Sequence, residues 1–190
     1  MNIQIRKSLP SDATSVIPLI IDAIGDIANR LTGERTPEAT EIALQQLFIR
    51  EDNRHSYLNT YVAVDQHSKN ILGTLVVYSG QDALWMDHNL SEWLTNKQAP
   101  TNRIDQEAYE DEYYIDTICV HPNARGKGVG TMLLSFAEQV AHDKNFRKLS
   151  LNVETTKERA LKLYERQGFV ITEPWSIIDE PFHHMVKNLH

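Results

Sequence analysis

The stretch Tyr113–Thr131, YYIDTICVHPNARGKGVGT, runs from an apolar, β-rich segment through a Pro-Asn turn into a burst of glycine and cation. Gly126, Gly128 and Gly130 fall at alternate positions, with Arg125 and Lys127 beside them. Behind them Val129, Leu133, Phe136, Ala137 and Val140 repeat at helical spacing, which predicts a helix over 128–142. Backbone N–H groups stripped of side chains by glycine, at the start of a helix, form an anion site that the helix dipole assists. Phosphate or pyrophosphate is the natural ligand of such a loop.

Three nucleotide-binding designs compete for it. A P-loop needs Lys and Ser or Thr after its last glycine, and here Gly130 is followed by Thr131 and Met132. A Rossmann site, and with it an NAD-dependent oxidoreductase, gains from Glu154 at the end of the next predicted strand. It loses because the glycine spacing is G-x-G-x-G and because His121 to Arg125 separate strand from loop. The third design, R/Q-x-x-G-x-G/A, is matched at every position by Arg125-Gly-Lys-Gly128-Val-Gly130.

Together with the strand YYIDTICV and the helix ending ALKLYERQGF (Ala160–Phe169), that loop resembles the GNAT superfamily of acyl-CoA N-acyltransferases. The resemblance implies an acetyl-CoA-dependent N-acetyltransferase acting on a primary amine of a small molecule or peptide, by direct attack in a ternary complex. It implies that the loop Arg125, Gly126, Lys127, Gly128, Val129, Gly130 and Thr131 cradles the pyrophosphate of coenzyme A. The pantetheine arm would pair with Ile118, Cys119 and Val120, where the strand splays from its parallel neighbour. Asn152 and Lys157 complete the expected cofactor contacts; Lys157 stands where the family commonly has an asparagine, so that residue's contacts do not carry over. Tyr164 is the expected donor of a proton to the departing thiolate, since a phenol with pKa ~10 suits a thiol leaving group. A non-catalytic acyl-CoA sensor would use the same loop.

For the base, strand alternation puts Glu112, Tyr114, Asp116 and Ile118 on one face of 113–120, opposite Tyr113, Ile115, Thr117 and Cys119. Asp116 is the first candidate, because a carboxylate inside so apolar a strand is costly unless used or paired; Glu112 is the second. Cys119 is expected to point away from Asp116 and to serve as packing rather than as a nucleophile. His183 and His184 alternate on the last strand, and no spacing suggests a metal site.

The remaining chain fits a mixed α/β (α+β) fold: a largely antiparallel sheet flanked by helices, with a splayed parallel strand pair at the acyl-CoA site. Residues 2–7 alternate as a strand, and Ile17 to Leu31 repeat at helical spacing, with Pro18 obscuring the helix start. Thr36-Pro37 caps a helix through Phe48. Tyr57–Asp65 and Ile71–Ser79 read as a hairpin, and Lys148–Val153, Phe169–Thr172 and Phe182–Leu189 as further strands. Thr155 and Glu158 form an expected capping box for a helix that ends at Gly168.

All 190 residues suit a single domain, with a substrate-side insertion at about 80–112. Between Gln81 and Glu112 eight acidic residues face two basic ones, Lys97 and Arg103, and Trp85 and Trp93 lie among them. Such a segment would suit a cationic amine acceptor, through focused charge and cation–π contacts. The net charge of −7 argues against nonspecific nucleic-acid binding. Neither a signal peptide nor a membrane span is expected, and one cysteine fits a reducing cytoplasm. A homodimer stays open.

Overall fold

The structure, a computed structural model, describes residues 2–190. Seven strands form one sheet: β1 (Ile3–Lys7), β2 (Thr60–Asp65), β3 (Ile71–Ser79), β4 (Tyr113–Val120), β5 (Lys148–Glu154), β6 (Val170–Ile177) and β7 (Glu180–Asn188). Their order is β1-β2-β3-β4-β5-β7-β6, and every neighbouring pair is antiparallel except β4 with β5. A doubly wound sheet is therefore ruled out, and the Rossmann alternative with it.

Helices α1 (Ala13–Ile24), α2 (Ile27–Thr32), α3 (Pro37–Ile49) and α4 (Gly80–Asn96) supply one core layer, packed on Val62, Val76, Tyr78 and Tyr114. The other layer belongs to α5 (Val129–Asp143) and α6 (Glu158–Arg166). Val129, Leu133, Ala137 and Ala141 of α5, spaced by four, are all buried against Leu75, Ile115 and Leu151. A fully buried Val or Leu side chain contributes roughly 1.5–3 kcal/mol.

Several expected boundaries move. The run from Ile17 to Leu31 is two helices, because Gly25 adopts φ +55° after Ile24 and turns the chain. Helix α1 passes through Pro18; Val16, Ile17, Leu19 and Ile20, all buried, hold it despite the missing N–H. The hairpin's first strand starts at Thr60, since Tyr57–Asn59 form a 3₁₀ turn capped by Ser56. Thr36 caps α3 as expected, its side chain accepting from the Ala39 N–H. The Thr155–Glu158 capping box is not made: Lys157 is the N-cap of α6, and no side chain caps it.

The acidic stretch from Gln81 begins as a helix. Ser79 caps α4 by accepting from the Asp82 N–H, and Ala83, Met86, Leu90 and Leu94 bury its inner face.

Candidate active site

Two irregularities in β4 create the site. The parallel ladder between β4 and β5 holds only for Tyr113–Leu149, Tyr114–Ser150 and Ile115–Leu151. Beyond Ile115 the strands part, which leaves one edge of Asp116–Val120 without a sheet partner. On the other edge Val77 pairs with Ile115 and Val76 with Thr117, so Asp116 is an extra residue, a β-bulge.

The bulge corrects the expected faces. Asp116 and Thr117 sit side by side, the Thr117 hydroxyl donating to Asp116 Oδ1 at 2.8 Å. Beyond them the phase is reversed. Ile118 and Val120 join the α5–α6 layer, while the Cys119 thiol reaches toward Asp22 of α1 (3.7 Å) on the same side as Asp116. Cys119 is nevertheless a poor nucleophile: burial, and then Asp22, push its thiol up to about 11.

The gap opens into a cavity of ≈970 Å³. Ile118, Cys119, Val120, Arg125, Gly126, Asn152, Lys157 and Tyr164 all line it, and so does Asp116. Gly126 (φ +74°) and Gly128 (φ +81°) carry the loop into α5, and a Cβ on either would meet nothing within 4 Å. The space before the first N–H groups of α5 is therefore open, as an anion cradle requires. Val129 turns its side chain into the core and can offer only backbone there; Thr131 is exposed. The loop cations are engaged elsewhere: Arg125 pairs with Asp22 at 2.7 Å, and Lys127 donates to the Asn123 carbonyl. Lys157 pairs with Glu154 at 2.6 Å and donates to the Ala23 carbonyl at 3.3 Å.

Tyr164 lies edge-on to Phe169, and its hydroxyl has no hydrogen-bond partner among the described residues. Burial, with a smaller push from Cys119, raises its phenol to about 12. It therefore keeps its proton through the neutral range.

The carboxylates divide sharply. Asp116 is buried and accepts from the Tyr78 hydroxyl at 2.6 Å, with His55 Nε2 at 3.3 Å and Arg54 Nη1 at 3.7 Å. Burial alone would raise its carboxyl, but His55, Arg54 and Tyr78 overcome that and hold it well below the usual range. Such an acid is a weak base. Glu112, the second candidate, does not line the cavity. Its Oε2 accepts from the Tyr109 N–H and the Ser150 hydroxyl, and its Oε1 faces His184. Asn152 reaches the cavity, but its side chain is committed to the Glu107 carbonyl, the Tyr114 hydroxyl and His184.

Sequence reading missed the centre of the polar wall. Arg54, 1% exposed at its side chain, donates to Asp87 at 2.6 Å, to the Asp105 carbonyl at 3.3 Å and to Glu107. Three carboxylates, Asp87, Glu107 and Asp116, thus surround one guanidinium. Burial raises the Glu107 carboxyl even against Arg54. His55 lines the same wall, and neither of its ring nitrogens completes a hydrogen bond. Of the acidic segment, only Glu107 lines the cavity. Asp111 pairs with Lys148, and Trp85 and Trp93 stand away from the site, with Lys97 over the Trp93 ring.

Among the described residues no cluster of His, Cys, Asp and Glu could hold a metal ion, and no helix is long and apolar enough to cross a membrane.

The chain matches the model of the Acetyltransferase (GNAT) family over residues 21–169. An acetyltransferase crystal structure is 25% identical and superposes at TM-score 0.79, over 98% of this chain and 100% of that one. An N-acetyltransferase from Staphylococcus aureus Mu50 is likewise 25% identical, at TM-score 0.78 over 96% and 99% of the two chains. The fold extends to PaiA N-acetyltransferase from Thermoplasma acidophilum, solved with coenzyme A, at 15% identity and TM-score 0.62 over all of both chains.

Proposed function

The chain belongs to the GNAT family and is an acetyl-CoA-dependent N-acetyltransferase, and from that premise we propose that it acetylates a primary amine bound as a cation, by direct transfer within one cavity. The observation that carries this reading is the continuity of the space. The start of the glycine loop at Arg125 and Gly126, the freed edge of β4, Tyr164 and a wall with surplus carboxylate all border it.

In this reading the donor lies along the freed edge of Ile118–Val120, with its pyrophosphate before Gly126 and Gly128. The acceptor ammonium rests against Asp116 and Glu107. Asp116, held low, supplies a fixed negative charge. Glu107, raised by burial, is the better-matched proton acceptor, because a base works best when its pKa approaches the working pH. The neutral amine attacks the thioester carbonyl carbon while a backbone N–H of the freed edge stabilises the oxyanion. The C–S bond then breaks, the Tyr164 phenol protonates the thiolate, the nitrogen gives up its second proton to solvent as the amide forms, and the proton held by Glu107 returns to Tyr164 through solvent. Cys119 takes no part, since its thiol stays protonated.

The test is thiol release from acetyl-CoA dependent on added primary amines, with the N-acetylated product identified by mass. Binding of acetyl-CoA without turnover on any amine would mark a sensor and overturn the reading.

A further inference from the structure

The acceptor side of the cavity carries its own chemical selection. Ile24 of α1 and Ile27 and Leu31 of α2 line it on one side; Ile177 and Phe182, flanking the β6–β7 turn, line it on the other. The polar groups gather at the Arg54 cluster, where the three carboxylates outnumber one guanidinium. Arg54 has Nε and Nη2 on Asp87 and Nη1 on Glu107, so its donors are spent within the protein. A substrate carboxylate would face three carboxylates there, with His55, whose Nε2 already lies 3.3 Å from Asp116, as the group left to meet it. A second ammonium would fare no better along the aliphatic walls. The more exposed carboxylates Asp22 and Glu154 are already paired with Arg125 and Lys157, and Glu158 is exposed at the first residue of α6.

The β6–β7 turn is fixed in a manner that points the same way. Ile178 and Asp179 both adopt positive φ, +48° and +66°, and Ile177 pairs with Glu180 across them. A β-branched residue is an outlier in that region and persists only where its surroundings hold it. Here the Asp105 carboxylate accepts from the Ile178 N–H at 2.8 Å and the Gln106 carbonyl from Trp175 Nε1 at 2.9 Å. The turn is thus tied to the segment that leads to Glu107, and Ile177 is kept buried at the cavity wall.

We propose that the acceptor is a monocationic amine with an apolar body, an alkyl or arylalkyl primary amine, and not a polyamine or a free amino acid. The proposal rests on the acetyltransferase reading above and narrows it.

Matched pairs at saturating acetyl-CoA test it. Hexylamine should exceed hexamethylenediamine in kcat/KM by at least about tenfold, because burying an unpaired charge readily costs that much. Phenylalanine methyl ester should exceed phenylalanine by a similar factor or more. Equal or reversed preference in either pair, with turnover intact, would overturn the proposal and leave the enzyme reading standing. Thiol release with none of the four amines but with another primary amine would overturn the proposal alone; absence of release with every primary amine would overturn both. Ile27→Asp, at the first residue of α2 where a helix tolerates a carboxylate, should move the diamine-to-monoamine ratio at least about tenfold toward the diamine. An unchanged ratio in the folded variant would mean that the apolar wall does not select the acceptor and would overturn the proposal.

Discussion

Glu112 Oε1 lies 3.2 Å from His184 Nε2 inside the sheet, where neither side chain is more than 2% exposed. The other ring nitrogen of His184 faces Asn152 Oδ1 at 2.8 Å, and its ring stacks on Trp175 at 4.7 Å. Burial would raise the Glu112 carboxyl, but His184, the Tyr109 N–H and Ser150 together lower it. A carboxyl lowered by folding stabilises the native state above its unfolded pKa, and that contribution is lost as pH falls through the folded value. Glu112→Gln should therefore cost roughly 3 kcal/mol at pH ~7, with the deficit shrinking below pH ~4. Melts of both proteins across that range check it; a deficit that does not depend on pH would mean that Glu112 is not ionised.

Tyr164→Phe should lower kcat by ~10²-fold or more while acetyl-CoA affinity holds, because proton donation to the thiolate acts in the transition state. No hydrogen bond is lost, so the melting temperature should barely move. Wild-type kcat in the variant would strike Tyr164 from the reaction.

Glu107→Gln should reduce kcat/KM, and its pH profile separates a base from a binding charge. A proton acceptor must be ionised, so wild-type activity should rise through a limb above the ordinary Glu value of ~4.3, in the direction burial shifts Glu107. Loss of that limb in the variant is the expected outcome. An unchanged limb at lower KM-dependent rates would leave Glu107 a charge only.

Gly128→Val should abolish acetyl-CoA binding measured by calorimetry, for two separable reasons. The new side chain fills the open space before α5, and φ +81° penalises any Cβ by roughly 1–2 kcal/mol. Gly128→Ala, smaller but equally strained, reports the second effect alone. Retained affinity in folded Gly128→Val would remove the loop from the donor site.

Ile178→Asn should raise the melting temperature, because asparagine tolerates the left-handed region and is favoured in such two-residue turns. The gain should be about 1 kcal/mol, less whatever packing the half-buried Ile178 contributes. Lower stability would show that packing outweighs the strain.

The strand, glycine loop and helix over 113–143 were legible because their signals are local: apolar periodicity, turn residues and positive-φ glycines all lie within a few positions. Thr36-Pro37 was readable for the same reason. Helix α4 had a signal that went unread, Ser79 as cap followed by Ala83, Met86, Leu90 and Leu94 at helical spacing; its polar outer face obscured it. Arg54 gave no signal at all. Its partners Asp87, Glu107 and Asp116 lie 33 to 62 positions away and meet it only after the sheet forms. The bulge at Asp116 was equally hidden, since an extra residue is defined by the partner strand.

That single extra residue works as a half-period phase shift. Upstream of it even-numbered positions of β4 address the α1–α4 layer, and downstream the odd-numbered ones do. Periodicity summed over the whole strand therefore cancels, although each half is cleanly two-sided. Asp116 and Ile118, two positions apart, consequently serve opposite layers, one carrying charge and the other an apolar surface. Removing only that extra residue would restore an unbroken frame and keep those assignments, with Ile118 still toward α5 and Cys119 toward α1. Inserting a residue just after Thr117 would instead exchange them, turning Cys119 into the α5 layer.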